Sequence, residues 1–204
     1  MTLPAVILAG GQSSRMGGGD KVLLDLHGQP LLAHVIARLA PQAGPLAISA
    51  NGDPARFARF GLPVLADSLP GQPGPLAGVL AAMDWAADLG AASVLTAAGD
   101  TPFLPEDLAK KLHAAAGPKG LALAADREDG APRLHPTFGL WPTALREDLR
   151  AALIAGQRRV RQWAGAHLAG TALFDGPNPF FNINTPDDLV RAATLLQQRP
   201  GTLR

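Results

Sequence analysis

Short apolar runs alternate along the chain with longer segments of helical periodicity, and this alternation constrains the fold most. The runs predict β-strands at residues 6–9, 46–50, 63–66, 93–98, 121–125, 137–141 and 171–174. The segments between them predict helices at residues 30–39, 75–89, 105–116, 142–155, 159–166 and 186–197. Strands that alternate with helices form βαβ units, because parallel neighbouring strands need a crossover connection. The sequence therefore predicts an α/β fold of three layers, with a doubly wound, mostly parallel sheet between helices.

One stretch departs from the alternation. Residues 126–136 carry charges, then Gly, Pro and His, and are expected to form a loop or a short antiparallel excursion. No internal repeat and no linker divides the chain, so its 204 residues predict a single domain spanning positions 1–204.

Composition excludes several classes of function. The formal net charge of +1 argues against a broad basic surface for nucleic acid, and any anion site must be local. The absence of cysteine excludes disulfides, a zinc ribbon and a thiol nucleophile. The first residues have no basic region and only a short apolar run, so neither a signal peptide nor a membrane span is predicted. A cytoplasmic location is expected.

The most informative segment is the glycine-rich stretch from Leu8 to Lys21, which reads LAGGQSSRMGGGDK. Paired glycines directly after a strand allow backbone N–H groups to approach an anion closely and to surround it. Arg15 and Lys21 add two positive charges. The segment predicts a phosphate-binding loop, and the alternative is a surface loop with two solvated charges.

Two familiar phosphate-binding patterns do not match this loop. The Walker pattern requires Ser or Thr after the lysine, whereas Val22 follows Lys21. The dinucleotide fingerprint G-x-G-x-x-G is also absent from the loop. A phosphate loop at this position must be of another kind.

The loop resembles the first motif, L-A-G-G-x-x-x-R-M-G-x-x-K, of enzymes that transfer nucleotides onto small acceptors. Its ending, R-M-G-G-x-D-K, is most similar to the molybdenum cofactor guanylyltransferase family. Five segments agree in the family's order: HGQPL at 27–31, DS at 67–68, PGPLAG at 73–78, DTP at 100–102 and NINTP at 182–186. Two more agree as well: HP at 135–136 and GQRRV at 156–160. The resemblance covers essentially the whole chain and implies a Rossmann-like nucleotidyltransferase fold.

The resemblance also implies a GTP site at the first loop. Leu8, Ala9 and Gly10 would contact the base through their backbone, and residues 11–19, beginning with Gly11, would surround the triphosphate. Lys21 would neutralise phosphate oxygens as a point charge.

Other polar residues complete the implied nucleotide site. Arg15 would contact the phosphates with its planar guanidinium, and Asp67 would contact the base or the sugar. Where the family has an asparagine after the second strand begins, this sequence has Ser49. The nearby Asn51 is the alternative for that contact.

Asp100 and Asn184 are the Mg²⁺ ligands that the resemblance implies. Mg²⁺ prefers one or two carboxylates together with phosphate oxygens and water. Taken alone, Asp100 also fits a turn or N-cap residue before Thr101, and Asn184 fits a turn before Pro186. With the resemblance, the catalytic residues are expected to be Arg15, Lys21 and Asp100.

The implied reaction moves GMP from GTP to the molybdenum–molybdopterin cofactor and releases pyrophosphate. An acceptor phosphate is already anionic near neutral pH and needs no general base, which agrees with the lack of a Ser–His–Asp arrangement. His135 is either near the acceptor or a structural turn residue. The basic cluster of Arg158, Arg159 and Arg161 either binds the acceptor or forms a solvated helix face.

Two other functions fit parts of the same pattern. A cytidylyltransferase of the same pathway, or a sugar-phosphate nucleotidyltransferase, would share the loop and the metal aspartate. A catalytically idle nucleotide-binding carrier would keep the loop and lose the metal ligand. The resemblance further implies transient contacts with cofactor-biosynthesis or recipient enzymes, and neither a nucleic-acid nor a membrane partner. Trp85, Trp141 and Trp163 are expected in the core.

Overall fold

Strands and helices follow one another in the alternation that the sequence predicts. The computed structural model describes residues 3–10, 20–69, 74–128 and 130–197. The strands are β1 (Ala5–Leu8), β2 (Asp25–Leu26), β3 (Gln29–Pro30), β4 (Leu46–Ser49), β5 (Val64–Leu65), β6 (Ser93–Ala98), β7 (Ala122–Glu128), β8 (Ala131–Pro142) and β9 (Gly170–Leu173). The helices are α1 (Leu31–Leu39), α2 (Pro75–Asp88), α3 (Leu108–Ala114), α4 (Arg146–Ile154), α5 (Val160–Ala166) and α6 (Pro186–Gln197). Short 3₁₀ helices occupy Lys21–Leu23, Pro54–Phe60 and Thr143–Leu145.

Seven strands form the central sheet in the order β5-β4-β1-β6-β8-β7-β9. Strand β1 pairs in parallel with both β4 and β6, and only β8 runs antiparallel to its neighbours. The chain adds strands outward from β1 to β5 and then returns through α2 to place β6 on the other side of β1. The predicted mostly parallel, doubly wound sheet is confirmed.

The two faces of the sheet bury two separate apolar cores. Along β1, Ala5 and Ile7 belong to the core that includes α1 and α3, whereas Val6 belongs to the core that includes α2, α4 and α5. This division follows from the period of two residues in a strand, which sends successive side chains to opposite faces. Helices therefore cover both faces, as three layers require.

Residues 126–128 and 130–136 belong to a long antiparallel hairpin and not to a loop. Strands β7 and β8 pair from Ala122 to Glu128 and turn at Gly130, whose φ is +82°. The antiparallel expectation is confirmed, and the loop expectation is wrong. The polar residues do not break the strands because they pair across them: Asp126 lies opposite Arg133 and bonds to it.

The small hairpin of β2 and β3 was not predicted. Its turn places His27 and Gly28 at positive φ, and Asp25 Oδ1 accepts a hydrogen bond from the Gly28 N–H. Its apolar side meets α6 in a third cluster of buried residues: Leu26, Leu31, Phe103, Ile183 and Ala192. Helix α6 thus packs on this hairpin. The segment that precedes α6 in the chain therefore passes the end of β6.

Within the described ranges, none of the helices has the length and apolar character that crossing a membrane requires.

Candidate active site at the carboxyl ends of β1 and β6

A cavity opens where the order of the strands reverses. Gly10 follows β1 and Asp100 follows β6, and these two strands are neighbours. Ligands of doubly wound sheets bind at this switch point, outside the carboxyl ends of the strands. The cavity has a volume of about 500 Å³. Six residues predicted for the site line it: Leu8, Gly10, Ser49, Asn51, Asp67 and Asp100.

Among the described residues that were predicted for the site, Ala9, Lys21 and Asn184 are not part of this lining. Ala9 is buried, and its N–H donates to the carbonyl of Ser49 at 2.9 Å within the sheet. Gly11 and Arg15 lie outside the described residues, so their expected contacts with phosphate stay predictions.

Lys21 lies at the centre of the polar groups beside the cavity. Its Nζ is 2.5 Å from Asp100 Oδ2 and donates to Asn184 Oδ1 at 2.6 Å. A longer contact of 3.4 Å reaches Asn182 Oδ1. The side chains of Lys21 and Asp100 are 16% and 17% exposed, so this ion pair is largely shielded from water. One carboxylate and two amide oxygens therefore surround a cation.

The two asparagines reach Lys21 because the residue between them is anchored. Ile183 is fully buried, and its N–H donates to the Asp100 carbonyl at 3.0 Å. The side chains of Asn182 and Asn184, one before and one after the buried isoleucine, both reach the Lys21 ammonium. The sequence analysis includes Asn182 in the NINTP motif and assigns it no role, although its spacing of two residues from Asn184 was the available signal.

The side chain of Asn184 is not needed to begin α6. Asp188 Oδ2 accepts from the N–H groups of Asn184 and Thr185 at 3.0 Å each, and Thr185 Oγ1 accepts from Asp188 N–H. This reciprocal capping satisfies one amide of the first helical turn and the two amides that precede the helix. Burial alone would raise the pKa of Asp188, but these hydrogen bonds outweigh it and hold the pKa below its usual value.

Asp100 is likewise not a helix cap. The next helix, α3, begins at Leu108 with Asp107 at its N-cap position. Apart from Lys21, the carboxylate of Asp100 has a long contact of 3.4 Å with Thr101 Oγ1. The turn interpretation therefore leaves the Lys21 pair unexplained.

Asn51 and Asp67 form a reciprocal pair on the opposite wall of the cavity. Asn51 Nδ2 donates to Asp67 Oδ2 at 2.7 Å, and Asp67 N–H donates to Asn51 Oδ1 at 2.9 Å. These bonds fix both side chains relative to the ends of β4 and β5. Two polar groups are thus presented together to whatever occupies the cavity.

Ser49 is the more enclosed of the two residues considered for the asparagine position. It is 4% exposed and faces α2 at Gly78. A Cβ atom on Gly78 would lie 2.9 Å from Ser49 Oγ and 3.2 Å from Leu8 Cδ2, so the close approach of α2 requires glycine. Asn51, by contrast, is exposed. Both residues line the cavity.

A second cavity, of about 610 Å³, shares Pro75 and Thr137 with the first. Its other lining residues are Pro136, Arg158, Arg159, Val160, Arg161 and Gln162. The register between β7 and β8 shifts where Leu123 pairs with Gly139 and Ala124 with His135, which moves Pro136 and Thr137 out of regular pairing. Such irregularities redirect side chains next to sites. The three arginines thus border an open space.

His135, the residue before Pro136, packs behind the lining of the second cavity. Its Nε2 lies 3.0 Å from Asp126 Oδ1, and its ring stacks 4.4 Å from the ring of Phe180. Burial lowers the pKa of His135, although Asp126 acts in the opposite direction. Burial alone would raise the pKa of Asp126, but its contacts with Arg133 and His135 hold that pKa below its usual value. A structural role for His135 fits this arrangement, but the turn expected there is wrong, because the residue lies in strand β8 and pairs with Ala124.

The tryptophans pack as expected. Trp141 and Trp163 are buried in the core beside α2, and Trp85 packs against that core.

No group of three or more His, Asp or Glu side chains converges within the described ranges in a way that would hold a metal ion. A Mg²⁺ site that relies on substrate phosphates needs no such group, because one or two carboxylates suffice.

Residues 5–171 match the family model described as the MobA-like NTP transferase domain. The chain belongs to this family. Among MobA-like NTP transferases, the chain is 52% identical over 198 residues to the molybdenum cofactor guanylyltransferase of Cereibacter sphaeroides, covering 97% of this chain and 99% of the relative. It is 51% identical over 204 residues to the molybdenum cofactor guanylyltransferase of Mesorhizobium japonicum, covering 96% of each chain.

Solved structures share the fold of this MobA-like chain. Molybdopterin-guanine dinucleotide biosynthesis protein A from Archaeoglobus fulgidus superposes with a TM-score of 0.74 at 22% identity, covering 97% of this chain and 100% of the other. The 4-diphosphocytidyl-2C-methyl-D-erythritol synthase from Anaerococcus prevotii superposes with a TM-score of 0.73 at 15% identity, covering 96% of each. At these identities the likeness extends to the fold alone.

Proposed function

We propose that the protein is a molybdenum cofactor guanylyltransferase, which moves GMP from GTP to the molybdenum–molybdopterin cofactor and releases pyrophosphate. The observation that carries the proposal is the convergence of Lys21, Asp100 and Asn184 beside the cavity at the ends of β1 and β6. The substrates are proposed from the name of relatives that are about half identical to this chain over nearly its full length.

The first cavity is the proposed donor site. Its floor is formed by Leu8 and Gly10, and a Cβ atom on Gly10 would meet nothing within 4 Å, so the backbone is open to a close approach. Asn51 and Asp67 on the opposite wall are suited to the hydrogen-bonding edge of a base or to a ribose. Ser49 also belongs to the lining of this cavity.

The phosphates are proposed to lie on the side of Lys21, since this is the cationic end of the described site. Ala9, Gly11 and Arg15 complete the donor site in this proposal, on the strength of the loop motif alone. The loop would supply backbone N–H groups, and the two cations would screen the triphosphate charge.

Mg²⁺ is the proposed cofactor, and the donor set fits it. The carboxylate of Asp100 and the amide oxygen of Asn184 are hard oxygen ligands, and they already surround a cation, the ammonium of Lys21. Bound there, Mg²⁺ would lower the repulsion between the triphosphate and an anionic nucleophile.

The second cavity is the proposed acceptor site. Arg158, Arg159 and Arg161 provide guanidinium groups that match the geometry of a phosphate. Because Pro75 and Thr137 line both cavities, an acceptor phosphate in one would face the α-phosphate of a nucleotide in the other.

The proposed step is an in-line substitution. An oxygen of the acceptor phosphate forms a bond to the α-phosphorus of GTP, and the bond from that phosphorus to the bridging oxygen of the β-phosphate breaks. Pyrophosphate leaves with the electron pair. No proton has to be removed from the nucleophile, so the residues of the chain act by holding and screening the two anions.

The test is turnover of GTP and of CTP by the purified protein with the molybdenum–molybdopterin acceptor, followed as pyrophosphate release and dinucleotide product. We expect GTP to be used and CTP to be a poor donor. Preferred use of CTP would indicate the cytidylyltransferase instead. Binding of GTP without any pyrophosphate release would indicate the carrier.

The remaining parts of the proposal follow from the substrates. The chain would act as one nucleotidyltransferase domain over positions 1–204, in the cytoplasm where nucleoside triphosphates are available. It would pass its product to recipient enzymes by transient contacts.

A further inference from the structure

Arg56, on the 3₁₀ helix after β4, joins two segments of the candidate site. Its Nε lies 2.6 Å from Asp20 Oδ2, and the two side chains are 26% and 24% exposed. Its Nη2 donates to the Asn51 carbonyl at 2.5 Å, and its Nη1 donates to the Asp53 carbonyl at 2.9 Å. The guanidinium therefore uses all three nitrogens on different partners.

The partners of Arg56 lie on two sides of the first cavity, the proposed donor site. Asp20 directly precedes Lys21, whose ammonium contacts Asp100 and Asn184. On the other side, the side chain of Asn51 is paired with Asp67. One guanidinium thus connects the base of the glycine-rich loop to the wall that faces it.

The surroundings hold the guanidinium in place. Its Cζ lies 4.7 Å from the centre of the Phe57 ring, which is fully buried. Gly52 approaches so closely that an added Cβ atom would lie 2.9 Å from Arg56 Nη1. An isolated exposed ion pair contributes little to a structure, but this planar group also packs on a buried ring and donates two hydrogen bonds to backbone carbonyls, through Nη1 and Nη2.

We propose that Arg56 is a positioning residue for the donor nucleotide. It holds Asp20, and therefore Lys21, at a fixed distance from Asn51 and Asp67. The group that would contact the phosphates and the groups that would contact the base or sugar thus keep a constant spacing. Arg56 lines neither cavity, and it acts through its neighbours. This inference rests on the proposed function, because it needs a nucleotide between the two segments.

The test compares Arg56→Met with Arg59→Met, which removes an exposed arginine from the same 3₁₀ helix. We expect Arg56→Met to lower kcat/KM for GTP by about tenfold or more, since small misplacements of binding groups cost that much. The KM for the acceptor should not change, because the acceptor cavity has none of the Arg56 partners in its lining. A general loss of stability would not separate the two substrates in this way.

Two further variants sharpen the result. Arg56→Lys keeps a charge near Asp20 but lacks the planar guanidinium that reaches the carbonyls of both Asn51 and Asp53. It should give an intermediate kcat/KM. The loss of kcat/KM for GTP caused by Asp20→Asn should be smaller in the Arg56→Met variant than in the unchanged protein, because the two residues act together.

Hydrogen exchange in the nucleotide-free protein tests the connection independently of turnover. Arg56→Met should speed exchange in both segments 20–24 and 51–56, whereas Arg59→Met should leave segment 20–24 unchanged. Failure of the unmodified protein to use any nucleotide would contradict the proposed function, and the exchange result would still decide on the connection. Equal behaviour of Arg56→Met and Arg59→Met in both measurements would overturn the inference.

Discussion

The ammonium of Lys21 lies 2.5 Å from the carboxylate of Asp100, in the position where the proposed function needs a divalent cation. The same nitrogen is 2.6 Å from Asn184, the other proposed metal ligand. On the proposed function, lysine and metal would therefore compete for one set of oxygens in the nucleotide-free protein. Bound phosphates would then offer Lys21 another partner and offer the metal further ligands.

This competition predicts that Lys21→Met raises the affinity of the nucleotide-free protein for Mn²⁺. Two unit charges 4 Å apart repel by roughly 4 kcal/mol at an effective dielectric of 20, and about 1.4 kcal/mol corresponds to a factor of ten. We expect a gain of at least about tenfold, measured by the loss of the free Mn²⁺ signal in electron paramagnetic resonance.

The matched control is Lys110→Met, which removes an exposed lysine on α3. Lys21→Met should also weaken binding of GTP, so the two affinities change in opposite directions. An Mn²⁺ affinity equal to that of Lys110→Met would show that Lys21 does not hold the metal position.

Asp100→Asn tests the other partner of the pair. The side chain keeps its shape and loses its charge, so we expect Mn²⁺ binding to be lost. Turnover should fall by about 10²–10³, as when a group that stabilises transition-state charge is removed. GTP binding without metal should not weaken, because a negative charge near the phosphates is gone. Pyrophosphate release at the rate of the control Asp107→Asn, at the N-cap position of α3, would refute the metal assignment.

The double variant Arg159→Ala, Arg161→Ala tests the acceptor cavity. A hydrogen bond to a charged group contributes about 1.5–3 kcal/mol, so the KM for the molybdopterin acceptor should rise by about tenfold or more. The KM for GTP should stay within error. Arg127→Ala, an exposed arginine near the tip of the β7–β8 hairpin, is the control. A rise in the KM for GTP instead would place these arginines at the donor site.

Much of the fold could be predicted because it depends on local pattern. The apolar runs of β1 and β6 and the turn residues after them locate the ends of two strands, and the parallel sheet brings those ends together. Helix α6 was predicted with its observed ends because Pro186 begins it and the apolar period is clear. The hairpin of β7 and β8 was less evident, because Asp126 and Arg133 compensate each other only after the strands pair.

The internal contacts of the site depend on long-range packing and were harder to predict. Lys21 and Asn184 are 163 positions apart, and they meet only because Ile183 is buried against the β2–β3 hairpin. No spacing rule indicates that Arg56 would reach Asp20. Asn51 was named only as a substitute for Ser49, and its pairing with Asp67 required the structure.

Gly78→Ala tests how closely α2 approaches the donor cavity. The added methyl group would lie 2.9 Å from Ser49 Oγ and 3.2 Å from Leu8 Cδ2, so the helix or the cavity wall must move. Overpacking of this kind costs about 1–3 kcal/mol. We expect a lower free energy of unfolding in urea and a higher KM for GTP.

Gly165→Ala is the control for this substitution. Gly165 lies in α5, and an added Cβ atom there meets nothing within 4 Å. Replacing a glycine inside a helix by alanine gains up to about 1 kcal/mol. The two variants should therefore move stability in opposite directions, and a stabilised Gly78→Ala would mean that α2 does not pack as described.

The partly buried His135 predicts a loss of stability in mild acid. Burial lowers its pKa below 6.5 in the folded state, so below pH 6.5 the unfolded chain binds more protons at this position. The free energy of unfolding should accordingly decrease as the pH falls from about 6.5 towards the folded-state pKa. Asp126 and Arg133, with the more distant Glu128, are the charged groups that act on the ring. The pKa of Asp126 lies below 3.8, so this carboxylate stays ionised in the same range.

His135→Gln removes the titration and keeps a side chain able to donate to Asp126. Urea unfolding of this variant should depend less on pH than that of the unmodified protein between about pH 6.5 and 4.5, a window bounded by the ordinary pKa values of His and Glu. His113→Gln, which replaces an exposed histidine on α3, should retain the full dependence. An equal pH dependence in both variants would mean that His135 is not kept neutral by its burial.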